Sequence, residues 1–208
     1  MINILIHGLG QDDKSWEEIK NRLERNNVKL GIPNLYKLMK NYQSNYENLY
    51  KVFEDYCNSL KENELNLCGL SLGGVLAIDY AIKYPQKVKS LILIGVPYKI
   101  PKTIFKIQNL TFRFMPKRIF EDRGYPKKDF ISLINSLSNL DIPNKVKNIR
   151  CKTLILCGEN DKVNLKSVKQ LNENIKQSKQ KIIRNSKHEV NIENSAELSN
   201  EIMDFFEI

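Results

Sequence analysis

Ser71 is the residue of this chain best set for nucleophilic chemistry. It stands in Gly69-Leu70-Ser71-Leu72-Gly73-Gly74, between the strand-like Glu64-Leu65-Asn66-Leu67-Cys68 and the helix-like run from Val75 to Ala81. A serine on a sharp strand-to-helix turn is held in a strained backbone conformation with its hydroxyl exposed. Glycines two positions to either side remove side chains that would collide there. The helix opening at Leu72 points its first N–H groups at the same spot, where they stabilise negative charge developing on an attacked carbonyl oxygen. The structural alternative is a glycine-rich turn that only joins a strand to a helix.

A serine hydroxyl is a weak nucleophile until a base takes its proton, and an imidazole base works best with a carboxylate holding its tautomer. The chain has two histidines. His7 belongs to the turn His7-Gly8-Leu9-Gly10 after the first apolar run, so His188, in Ser186-Lys187-His188-Glu189, is the expected base. Two carboxylates compete for the orienting role, Asp161 and Glu159, both in the Gly158-Glu159-Asn160-Asp161 loop, and Asp161 is the choice. The run Val88 to Ile94 ends in Gly95-Val96-Pro97 and offers no carboxylate. Backbone N–H groups of Leu9 and of Leu72, the residue after the serine, are the expected oxyanion donors. In isolation His188 also reads as a solvated loop histidine, Asp161 as a turn former, and His7 as a histidine that fixes its loop.

These pieces need a frame that brings separate strand ends together. Short apolar runs alternate with helix-length amphipathic segments, the pattern of parallel strands joined by crossover helices. Strands are predicted at 2–6, 28–32, 65–69, 88–94, 153–157 and 181–184, and helices at about 15–26, 46–62, 72–84, 165–177 and 196–206. The fold class is α/β: a mostly parallel, twisted sheet of about six strands with helices on both faces. Sites in such sheets lie at the carboxyl ends of the strands, where the serine, acid and base segments all fall. One domain spanning 1–208 is expected, with 98–150 as an inserted, largely helical cap. That stretch carries prolines at 101, 116, 126 and 143 and no strand-like run. Long insertions at a strand end often cover a site, and Phe112 and Phe114 are the expected substrate-binding residues within it.

Composition excludes other classes. Hydrophobic residues at 41% and charged residues at 27% argue against both wholesale disorder and a membrane protein. The apolar run Ile2 to Ile6 has no basic leader and is too short for a signal peptide or a span, so the expected address is cytoplasmic. Cys57, Cys68, Cys151 and Cys157 lack metal-ligand spacing and disulfide density, and are expected as reduced, mostly buried thiols. The net charge of +9 raises the question of an anionic partner. No compact Lys/Arg run with interleaved aromatics accompanies it, so nucleic acid is not expected. Within the excursion, basic residues outnumber acidic ones, which would draw anionic substrates if they border the site.

With these motifs in order, the chain resembles the α/β-hydrolase superfamily along essentially its whole length. Leu70 to Gly74, Tyr84 to Val88 and Leu91 to Ile94 are similar to that family's nucleophile elbow, following helix and next strand. The His7-Gly8 turn with Trp16, the Gly158 to Asp161 loop and the His188 loop are similar to its oxyanion, acid and base positions. Two departures stand out: the chain opens at what would be the family's third strand, and the cap is short. The resemblance implies acyl transfer to water through an acyl-enzyme, on an ester or thioester of a small or medium acyl group, with no metal and no organic cofactor. The same three residues also serve carbon-carbon hydrolases and lyases in this superfamily, and some members bind ligands without catalysis.

Overall fold

The computed structural model describes residues 1–99, 115–121, 126–138 and 140–208. Six strands, β1 (Ile2–Ile6), β2 (Leu30–Gly31), β3 (Leu65–Leu70), β4 (Val88–Ile94), β5 (Lys152–Gly158) and β6 (Ser178–Ile183), form one sheet in the order β2-β1-β3-β4-β5-β6. Every neighbouring pair is parallel. The chain winds outward to β2 and then crosses back to β3, so the order reverses between β1 and β3, the place where ligands bind in open α/β sheets.

Residue alternation along the strands explains why both faces are covered. Ile4, Leu67, Leu91, Leu93 and Ile155 join one buried cluster, together with residues of the helices on that side. Their neighbours Leu5, Cys68, Ile92, Ile94, Leu154 and Leu156 join a second, on the opposite face. Since each fully buried Leu or Ile contributes about 1.5–3 kcal/mol, the strand ends rest on a stiff central layer.

The helices are α1 (Glu17–Glu24), α2 (Leu35–Leu38), α3 (Tyr46–Ser59), α4 (Leu72–Lys83), α5 (Arg118–Glu121), α6 (Lys127–Leu137), α7 (Ile142–Val146), α8 (Leu165–Asn174), α9 (Val190–Glu193) and α10 (Ser195–Phe206). Helices α1 and α10 pack on each other and, with Trp16, build the second cluster. Helix α4 is buried at nearly every position, packed on β3 and β4 and touching α3 and α7. Its approach is so close that a Cβ on Gly73 would lie 2.3 Å from the Ile6 carbonyl oxygen. Asn45 and Asn194 cap α3 and α10 by accepting from the N–H groups of Asn48 and Glu197, each cap contributing about 1 kcal/mol.

Several boundaries differ from the sequence expectation. The strand expected at 28–32 contracts to Leu30–Gly31, an edge strand pairing only with Asn3 and Ile4 of β1. The last strand begins at Ser178 rather than Lys181, because its first three residues, Ser178, Lys179 and Gln180, are polar on the sheet edge and carry no apolar signal. The first helix opens with a 3-10 turn, Asp13–Trp16, capped by Asp12, and ends at Glu24. The second and fourth end earlier than expected, at Ser59 and Asn174.

Within 98–150, α6 follows Pro126 and packs against α3. The amide of Tyr46 donates to Ser136 Oγ, and Ser44 Oγ donates to the Asp129 carbonyl. Lys145 pairs with Asp79 of α4, which also accepts from the Tyr46 hydroxyl. Phe120 is buried against Phe130, ring centroids 5.1 Å apart, so this aromatic packs the core. Phe112 and Phe114 lie outside the described residues. Cys57, Cys68 and Cys157 are buried and Cys151 is half-buried, all four as free thiols. Among the described residues no helix is long and apolar enough to cross a membrane.

Candidate active site

Ser71 follows β3 and opens α4 with φ 51° and ψ −112°. This is a region that a residue with a side chain occupies only under constraint, and such strain collects at functional sites. Two bonds hold it: the Ser71 N–H donates to the Ile94 carbonyl at 2.8 Å, and its carbonyl accepts from Val75 at 3.1 Å. The first bond ties the elbow to the end of β4, directly before Gly95.

Gly95 is the junction of the site. A Cβ there would lie 3.1 Å from Cε1 and Nδ1 of His188 and 3.5 Å from Asp161 Oδ2, and its φ of +56° already suits glycine. The imidazole therefore packs on the β4 end to which Ser71 is hydrogen-bonded. The loops that carry Asp161 and His188 are tied by backbone bonds from Glu159 N to the Ile183 carbonyl and from Asn160 N to the Ser186 carbonyl, each 2.8 Å.

His188 Nδ1 donates to Asp161 Oδ2 at 2.7 Å. That commits the proton to Nδ1 and leaves Nε2 free to act as a base. The Asp161 side chain is 5% exposed and that of His188 42%, so the carboxylate is shielded while the imidazole meets solvent. Asn164 donates its side-chain amide to both Asp161 oxygens, at 3.1 and 2.8 Å, and lies 3.3 Å from His188 Nδ1. Burial pushes the Asp161 carboxyl up, but hydrogen bonds from His188 and Asn164 outweigh it and hold the group below its usual value. Glu159 is exposed and accepts from the Asn185 N–H instead. Among the described residues no hydrogen bond joins Ser71 to His188, as is common before substrate enters a site.

The turn after β1 is built around a buried histidine. His7 Nε2 accepts from the Leu35 N–H at 3.1 Å, and Nδ1 lies 2.9 Å from the Gly8 carbonyl, so the ring is neutral with its proton on Nδ1. Burial lowers its pKa. Tyr36 packs edge-on against that ring, and its hydroxyl accepts from the Gly10 N–H at 2.6 Å. Helix α2, absent from the expected elements, thus shapes the turn that carries Leu9. Among the described residues the N–H groups of Leu9 and Leu72 have no hydrogen-bond acceptor, which leaves them available to an oxyanion. Beyond Tyr36 lies a cavity of about 400 Å³, walled by Met39, Tyr42 and Ser44 and, from the excursion, by Pro126 and Asp129. Ser71 and His188 do not line it.

Sequence reasoning missed Asn164 and Gly95. The first had a signal in its position three residues after Asp161; the second was noticed only as offering no carboxylate.

A family model described as serine aminopeptidase, S33, matches residues 36–141, just over half of the chain. No curated protein matches it in sequence. Among solved structures, the enol-lactonase from Burkholderia xenovorans LB400 superposes with TM-score 0.83 at 15% identity, over 100% of this chain and 92% of that one. A structure from work on carboxylesterases of the thaumarchaeon Nitrososphaera gargenis gives 0.82 at 17% identity, over 99% and 89%. MenH from S. aureus gives 0.80 at 18% identity, over 100% and 93%. At such identities the likeness establishes the fold, and chemistry must be argued from the site.

Proposed function

The chain belongs to the serine aminopeptidase (S33) family of α/β-hydrolases, and from that membership we propose that it cleaves an ester or thioester of a small or medium acyl group. Ser71 is the nucleophile, His188 the base and Asp161 the acid that orients it. The single observation that carries the reading is the meeting of four strand ends, those of β3, β4, β5 and β6. The strained Ser71 is bonded to Ile94, and Gly95, the next residue, lies under the His188 ring, whose Nδ1 donates to Asp161.

In this reading Ser71 Oγ attacks the carbonyl as His188 Nε2 takes its proton. The new oxyanion accepts from the N–H groups of Leu9 and Leu72, and the imidazolium is stabilised by Asp161. His188 returns the proton to the leaving alcohol or thiol, giving an acyl-Ser71. Water, deprotonated by the same nitrogen, then releases the acid and restores the serine. The excursion over 98–150 is assigned the role of cap.

The family description favours a second reading, removal of an amino-terminal residue from a peptide by the same serine. That substrate presents an ammonium group, which calls for an uncommitted carboxylate beside the serine. Among the described residues, the carboxylates on and beside the His188 loop are engaged, Asp161 by His188 and Asn164 and Glu189 by Gln11, which supports the ester reading.

The test is a chain-length series of aryl esters and acyl thioesters, alongside aminoacyl anilides, on wild type and Ser71→Ala. Esters or thioesters should turn over with a length optimum, and Ser71→Ala should lose about 10⁴- to 10⁶-fold in kcat while staying folded. Turnover of anilides alone would favour the peptidase. An inert wild type, or one eliminating its own substrate while sparing esters, would move the protein to the binding or lyase members of the fold.

A further inference from the structure

Two buried amides, 180 positions apart in the chain, join the oxyanion turn to the base loop. Gln11 closes the turn, its N–H donating to the Gly8 carbonyl at 3.3 Å and its Oε1 lying 3.5 Å from the Gly8 N–H. Asn191 follows His188 by three residues in the short helix α9. Their side chains pair reciprocally: Gln11 Nε2 donates to Asn191 Oδ1 at 3.3 Å, and Asn191 Nδ2 donates to Gln11 Oε1 at 3.2 Å. The second proton of Gln11 goes to Glu189 Oε1 at 3.2 Å, and that of Asn191 to the Ser15 carbonyl at 3.0 Å. All four amide protons of the pair are thus committed, and both residues are buried, at 7% and 1% exposure.

From this arrangement we infer that Gln11 and Asn191 are positioning residues that set the separation between the oxyanion donor Leu9 and the base His188. The inference rests on the proposed acyl-transfer reading. An oxyanion hole works only when its donors stand 2.7–3.1 Å from where the charge develops. The sheet fixes the strand ends, but Leu9 lies three residues past the end of β1 and His188 five past the end of β6. Packing of apolar side chains would allow those loops to slide. A reciprocal amide pair fixes distance and twist together, because each planar group offers a donor and an acceptor to the other. Breaking it leaves buried polar atoms unsatisfied, so an intermediate arrangement is disfavoured.

The experiment measures kcat, KM and inhibition by an alkylboronic acid, which mimics the tetrahedral anion on a serine, for wild type, Ser71→Ala, Gln11→Leu, Asn191→Leu, the double Leu variant and Gln11→Asn. The last shortens the arm by one methylene and preserves the amide, so it reports even if a Leu variant fails to fold. The expected result is a loss of roughly 10- to 100-fold in kcat for each single variant, with KM near wild type and boronate affinity reduced by a similar factor. The double variant should lose no more than the worse single one, since both break one clamp. Unchanged kcat and boronate affinity in folded variants, or losses that multiply in the double variant, would overturn the inference. If Ser71→Ala keeps its activity, the acyl-transfer reading itself fails. If Ser71→Ala is inactive while the folded Gln11 and Asn191 variants match wild type, only the clamp fails.

Discussion

Replacing Asn164 by Leu, which keeps its branched shape but not its polar atoms, tests whether Asp161, the proposed acid, is held from two sides. Asn164 donates to Asp161 at 2.8 and 3.1 Å, and a hydrogen bond to a charged group contributes about 1.5–3 kcal/mol. If that interaction steadies the carboxylate as the imidazolium forms, its loss appears in the transition state. At about 1.4 kcal/mol per factor of ten, kcat should fall about 10- to 100-fold with KM nearly unchanged. The variant also removes a donor that keeps the Asp161 carboxyl low. A depressed carboxylate adds stability above its unfolded pKa, and that stability is lost as pH falls through the folded value. Without Asn164 the folded value rises toward the unfolded one, so stability at neutral pH should be lower and should fall less as pH is lowered through the carboxylate range. The assay pairs ester kinetics at neutral pH with urea unfolding from pH 7 downward. Wild-type kcat with an unchanged acid limb would refute the reasoning, as would a rise in KM alone.

Gly95→Ala should cost about 1–2 kcal/mol in urea unfolding for its left-handed backbone. It should also lower kcat severalfold, because the new methyl sits 3.1 Å from the His188 ring; an unchanged kcat would separate that ring from the chemistry. Asp161→Asn should reduce kcat by about 10³- to 10⁴-fold, while Glu159→Gln stays near wild type, and the reverse order in steady-state assays would move the acid role to Glu159. His7, neutral and buried, has a pKa below its ordinary 6.5, so its contribution to stability is complete above that value and declines as pH falls toward the depressed one. Urea unfolding of wild type against His7→Gln should show wild type losing stability faster below pH 6.5, by up to about 1.4 kcal/mol per pH unit, and parallel curves would contradict a neutral buried His7.

The sheet was legible because its central strands are buried on both faces, so the apolar runs of β1, β3, β4 and β5 end within a residue of where periodicity puts them. At the edges that signal fades. Ser178 to Lys181 belong to β6 through backbone pairing with β5, and polar side chains on a solvated edge do not announce a strand. Ser71 carried a local signature, with its strand, glycines and helix contiguous. Asp161 and His188 could be nominated by elimination, since the chain has two histidines and the strand-end loops hold few carboxylates. The amide pair of Gln11 and Asn191 had no such handle: its meaning is a contact between opposite ends of the chain that no spacing reveals. Helix α2 escaped as well, a four-residue turn whose role comes from Tyr36 meeting Gly10.

Covalent labelling tests the central claim most directly. Wild type treated with an alkyl fluorophosphonate should gain one adduct by intact mass, located by peptide mapping on Ser71, and Ser71→Ala should gain none. His188→Ala should label far more slowly, because Ser71 would then lack its base. An adduct on another residue, or a native, folded wild type that takes up no label, would contradict the assignment of Ser71 as the nucleophile.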